Sequence, residues 1–99
     1  GSDMVMSEAS RALYREVLRA RNRRKFSRKN INEYVVNLLG DRDEINVSEI
    51  PVQTKRDVIR IVYISIYAGN RANQYTIKRL NSRIQTGEFE IPEFIIYKR

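Results

Sequence analysis

A mainly helical α+β domain, with four helices and a small two- or three-stranded β element, is expected from this sequence on three grounds. The segment Val58 to Ala68 is apolar nearly all round and follows a Thr54/Asp57 pair of capping-box type, which makes it a buried helix. After Gly69-Asn70, the stretch from about Ala72 to Gln85 aligns Tyr75 or Thr76 with Ile77, Leu80 and Ile84 on one stripe and leaves Arg71, Asn73, Gln74, Lys78 and Arg79 polar and basic around it. The closing run Phe89 to Tyr97 is rich in aromatic and β-branched residues, as an extended wing would be. A buried helix, a turn, a polar helix and a wing together describe a winged-helix-like bundle, and therefore a binding module.

Taken in order, Gly1-Ser2-Asp3-Met4 has the look of a cloning scar, and residues 5–99 form a single domain, with 5–25 as an N-terminal helical arm and 26–99 as the core. Ser7 can cap a first helix running to about Asn22, with Ala9, Leu13, Val17 and Ala20 on one narrow face. The alanines bury little area, so this arm contributes less to stability than the other helices. Ser27 caps a second helix, Phe26 can staple onto Ile31, the set Ile31, Tyr34, Val35, Leu38 and Leu39 has helical spacing, and Gly40 supplies the stop. Ile45 and Val47 alternate with polar neighbours, which predicts a short strand ending before Pro51. The β-branched run Val58 to Tyr67 also suits a strand, but its cap, its following glycine and its length of about fourteen residues favour a helix. Beyond Gly87, Phe94 to Tyr97 is the stronger of two apolar pieces split by Pro92, and either pairs with Ile45-Asn46-Val47 or forms a hairpin with Phe89 to Ile91.

Ninety-nine residues, 41% of them apolar, allow one core and no second. Histidine and cysteine are both absent, which removes the nucleophile triads, His/Cys zinc sites, haem and iron–sulfur ligation, and disulfides. Asp41-Arg42-Asp43-Glu44 is too short, wrongly spaced and interrupted by arginine for a Mg²⁺ or Ca²⁺ site, and is expected to be a solvated loop. The expectation is thus a protein without catalytic residues, cofactor or metal. No apolar run approaches the roughly 20 residues needed to span a bilayer, so a soluble, cytoplasmic protein or a piece of one is expected.

The net charge of +7 favours nucleic acid or another polyanion as partner. Arg19, Arg21, Arg23, Arg24, Lys25, Arg28 and Lys29 crowd the junction of the first two helices, the density expected of phosphate contacts. Solvation competes with that reading: Arg21 to Lys25 meet a helix C-terminus and its dipole, whereas Arg28 and Lys29, in a first turn, gain nothing from theirs. On the helix after Gly69, Asn73 and Gln74 are able to bond adenine and Arg71, Lys78 and Arg79 to hold phosphates, though such helix faces often serve only as protein docks. Of the six tyrosines most fall on apolar stripes; Tyr97 with Phe94, on an edge strand, would be open to partner addition.

Two resemblances follow from particular words. Ser48-Glu49-Ile50-Pro51, Arg56 to Tyr63, Tyr75 and the ending Phe94 to Arg99 resemble the C-terminal part of the JetA family, kleisin-like subunits of the Wadjet plasmid-defence complex, over about Ser27 to Arg99. That resemblance implies a non-enzymatic domain docking on the ATPase head of an SMC-type partner or another protein subunit, with Tyr75, Phe94, Ile96, Tyr97 and the helix bearing Lys78 toward the protein and the basic residues toward DNA. Ala12-Leu13-Tyr14-Arg15, Lys25-Phe26-Ser27 and Tyr34 resemble the LYR family of small basic helical proteins, which implies binding to an acyl carrier protein. A sequence-specific winged-helix regulator of transcription is the nearest alternative within DNA binding, and oligomeric state is not legible.

Overall fold

A computed structural model describes residues 8–67 and 74–99. Among them are three α-helices, α1 (Glu8–Asn22), α2 (Arg28–Leu39) and α3 (Lys55–Tyr67), and three strands, β1 (Glu44–Asn46), β2 (Tyr75–Thr86) and β3 (Phe89–Lys98). The strands form one antiparallel sheet in the order β1-β3-β2, so the last strand is the central one.

The helix starts follow their capping residues. Ser27 Oγ accepts from the Asn30 N–H at 3.1 Å, and Gly40 closes α2 at φ 56°, where a side chain would be strained. Thr54 and Asp57 form the reciprocal box that opens α3, with Asp57 N–H bonded to Thr54 Oγ1 and Thr54 N–H to Asp57 Oδ2. The β-branched run is indeed helical, and Val58, Ile61, Val62, Ile64 and Ser65 are buried along it. Helix α1 ends in a Schellman-type turn, in which Lys25 N–H bonds to Ala20 C=O at 2.9 Å and Arg24 takes φ 54° without being glycine.

One core joins all of these elements. Leu13 and Val17 of α1 are fully buried in the same cluster as Val35, Ile61, Val62, Tyr75, Ile91, Phe94 and Ile96. The expected arm, residues 5–25, is therefore part of the core over its described portion. Helix α1 packs on α3 and β3, and Ser10 Oγ accepts from the Glu90 N–H at 2.8 Å on a stretch of β3 beyond its pairing with β1. Arg21 lies over the Tyr67 ring and Arg60 over that of Tyr34, each at 4.5 Å, and such cation–π contacts contribute about 0.5–1 kcal/mol each.

The expected fourth helix, Ala72 to Gln85, is corrected to strand β2 over Tyr75–Thr86. The reason lies in a register shift between Arg79 and Arg83: Arg79 faces Phe94 but Arg83 faces Pro92, so residues 80–82 stand opposite Glu93 alone. Before the irregularity Ile77 pairs with Ile96 on the core face; after it Ile84 pairs with Ile91. The switch of parity places apolar residues at 77 and 84, a spacing that imitates one helical stripe. Pro92 sits beside the shift, where its missing N–H is tolerated. The turn at Gly69-Asn70, and Arg71, Ala72 and Asn73, lie outside the described residues.

The hairpin does not project freely. Its tip, Thr86 to Phe89, shares a cavity with Val52, Gln53, Thr54, Lys55 and Val58, and Phe89 is buried. On the opposite face of the sheet Glu93 accepts from Ser82 Oγ at 2.7 Å and from Asn46 Nδ2 at 3.0 Å, tying all three strands; those two bonds hold its carboxyl below the ordinary carboxylate value.

Candidate functional site

Several exposed cations gather in two clefts that the linear sequence does not separate. Arg19 and Arg23 rise from the C-terminal end of α1, the turn at Arg24 folds Lys25 back beside them, and Lys55 and Arg56 come from the first turn of α3. With Glu16, Ala20, Phe26 and Ile59 they line a cleft of about 590 Å³. Five cations thus face one carboxylate, and Glu16 Oε2 lies 2.8 Å from Lys55 Nζ. Phe26 meets Tyr63 edge-on at 5.0 Å, so the cleft has an apolar wall beneath its charges.

A second cleft, of about 800 Å³, is lined by Arg28, Lys29, Asn32, Glu33, Val36, Asn37, Gln74 and Tyr75. Tyr75 is buried at its floor, with the hydroxyl donating to Asn32 Oδ1 at 3.0 Å, and burial raises its pKa. Val36, 40% exposed, also borders a smaller cavity of about 350 Å³ with Leu39, Gly40, Lys98 and Arg99.

Of the residues singled out from sequence, Arg19, Arg23 and Lys25 gather in the first cleft, and Arg28 and Lys29 in the second. Arg24 is exposed in the turn between them, and Arg21 rests on Tyr67. Gln74 and Lys78 are exposed, Lys78 on β2 opposite Ile95, so no helix carries them toward a groove. Arg79 is exposed but engaged by the fold's own carbonyls: its Nε donates to Ser65 C=O at 2.7 Å, and its Nη2 to the same carbonyl and to that of Ile66. Arg71 and Asn73 lie outside the described residues. Tyr75, Phe94 and Ile96 are fully buried and cannot present a docking surface without unfolding; Tyr97 is half-exposed. Sequence reasoning missed Lys55 and Arg56. Their signal was present, as two cations in a helical first turn where carboxylates are favoured.

Among the described residues no group of three or more carboxylate, histidine or cysteine side chains could hold a metal ion, and no helix is long and apolar enough to cross a membrane. The Asp41–Glu44 loop is exposed, and Arg42 pairs with Glu49 at 2.9 Å.

The fold and its surface describe a small, strongly basic α+β domain with paired cationic clefts. The family model described as "Wadjet protein JetA" matches residues 3–99. The chain belongs to the JetA family. It is 30% identical over 88 residues to a Wadjet protein JetA of Bacillus cereus (strain Q1), an alignment covering 85% of this chain and 17% of that protein's length. No solved structure matches it. The sheet also separates it from the all-helical architecture of the LYR resemblance.

Proposed function

We propose that this domain is a non-enzymatic interaction module of a Wadjet-type plasmid-defence assembly in the bacterial cytoplasm, and that its task there is to hold DNA through sequence-independent phosphate contacts. Membership of the JetA family supports the setting, and the exposed basic surface supports the task. The observation that carries the reading is that Arg28 and Lys29 in α2, and Lys55 and Arg56 in α3, stand in first turns, where the positive end of the helix dipole opposes them. An anionic partner removes that opposition. A winged-helix-like reading of the fold fits this task if the helices and their connections, rather than a recognition helix, face the nucleic acid. Sequence-specific regulation is the weaker reading, because β2 replaces the helix that was to read bases.

The test is binding to random-sequence duplex across a salt titration. Affinity should fall with a slope of about −0.9 per phosphate contact, and an affinity indifferent to salt would refute the reading.

Docking on an SMC-type ATPase head, or on another subunit, is the second reading, favoured by the exposure of Val36 beside its two cavities and by the partial exposure of Tyr97 on β3. Val36→Glu or Tyr97→Ala should then abolish subunit binding while neutralising the basic residues leaves it intact.

A further inference from the structure

We infer that the cleft between the end of α1 and the first turn of α3 is the seat of a nucleic-acid phosphodiester backbone, with Glu16 occupying Lys55 in the phosphate's stead until the backbone enters. The inference rests on the phosphate-contact reading above, and adds a location and a gate to it.

Convergence is the first ground. Arg19, Arg23, Lys25, Lys55 and Arg56 are separated by up to 37 positions in sequence, and only the packing of α1 on α3 brings them to one cavity. Like charges drawn together by folding repel one another, and an anion between them reverses the sign of that interaction. The second ground is local. Lys25 is turned back by its bond to Ala20 C=O, a turn that places Arg24 in the left-handed region where glycine would sit without strain. Third, Phe26 and Ile59 wall the cleft with apolar surface, which concentrates the field of the cations within it.

Glu16 shows how an anion is met there. Its Oε2 lies 2.8 Å from Lys55 Nζ, an ion pair that makes no hydrogen bond. The oxygen is buried without a hydrogen-bond partner, so it is held by the ion pair with the partly exposed Lys55 and not by a fixed bond that an entering anion would have to break. A phosphate entering among five cations recovers more charge complementarity than the exchange loses.

The experiment measures anisotropy of labelled random DNA of about 20 nucleotides, in duplex and single-stranded form, over about 50 to 200 mM salt. At 0.1 M salt the release of about 0.9 counterion per contact makes each lost contact worth about eightfold in affinity. The double variant Arg23→Ala/Lys55→Ala should weaken binding about sixtyfold and reduce the salt slope by about 2. Glu16→Gln should tighten binding, by up to about eightfold, and that gain should vanish when Lys55→Ala is also present. Arg28→Ala/Lys29→Ala in the neighbouring cleft should weaken binding less than Arg23→Ala/Lys55→Ala does. The form of DNA that binds more tightly identifies which backbone the cleft prefers.

Should Arg28→Ala/Lys29→Ala carry the loss instead, the seat is overturned while the phosphate-contact reading stands. Should no variant show salt-dependent binding, both fall. An unchanged affinity in Glu16→Gln removes the gate. Poly-glutamate that binds more tightly than either DNA form, and responds to the same substitutions, would assign the cleft to an acidic protein segment and overturn the proposal.

Discussion

Arg79→Ala separates a structural arginine from a ligand-binding one. Strand β2 delivers this guanidinium to the last described turn of α3, where the carbonyls of Ser65 and Ile66 accept from it. Hydrogen bonds involving a charged group contribute about 1.5–3 kcal/mol, and favourable placement at a helix C-terminus about 0.3–1 kcal/mol. Arg79 is exposed and its bonds to Ser65 are only partly buried, which argues for the lower end of both ranges, so the substitution should cost about 2 kcal/mol in all. For a domain of this size each kcal/mol moves Tm by about 4–8 °C, which gives a fall of about 8–16 °C. Arg79→Lys keeps the charge without the planar fork and should lose about half as much. The assay is thermal melting by circular dichroism, run beside DNA binding at a temperature where every variant is folded. Melting should fall while affinity at fixed salt changes little. A variant that melts as the parent does but loses DNA binding would refute the reasoning and return Arg79 to the phosphate-contacting set.

Arg24→Gly should stabilise the domain by up to about 1 kcal/mol, because left-handed backbone costs an L side chain roughly 1–2 kcal/mol and glycine's greater unfolded-state freedom offsets part of it; urea denaturation checks this. Phe94→Ala, at a fully buried site, should cost about 3–5 kcal/mol and Tyr97→Ala far less, the reverse of what a shared docking role would require. The carboxyls of Asp57, held by the Gln53 and Thr54 N–H groups, and of Glu93, held by Ser82 and Asn46, are depressed below their ordinary values of 3.8 and 4.5. Their contribution is therefore complete above those values and lost as pH falls through the lowered ones, so urea midpoints should fall on acidification below about pH 4.5. Asn46→Ala, which removes one donor to Glu93, should make that fall shallower.

Much of the helical part was legible because its signals are local. Ser27, Gly40 and the Thr54/Asp57 box act within a few residues of themselves, and each marks the boundary it was expected to mark. Of the two arrangements left open for Phe94 to Tyr97, pairing with the Ile45 segment is the one found, while the alternative hairpin is excluded because Phe89 to Lys98 is one continuous strand. Strand β2 was not legible, since its two halves alternate in opposite phase about residues 80–82 and the combined pattern has no period of two. Only β3 supplies the partner that makes it a strand, and no local rule contains that information. The candidate site divides along the same line. Arg19 to Lys29 are neighbours in sequence and were found together, whereas Lys55 and Arg56 join them through tertiary packing. The burial of Tyr75, Phe94 and Ile96 likewise depends on which face of the sheet meets the helices.

Because β3 is the central strand and follows both of its neighbours in the chain, neither β1 nor β2 has its partner until β3 itself has been synthesised. The bond from Ser10 to Glu90 spans 80 positions, so α1 too must wait for its anchor. Among the described elements, a ribosome-bound nascent chain halted at Gly87 would carry α1, α2 and α3 without the sheet, so assembly of this core waits on one strand rather than accreting gradually.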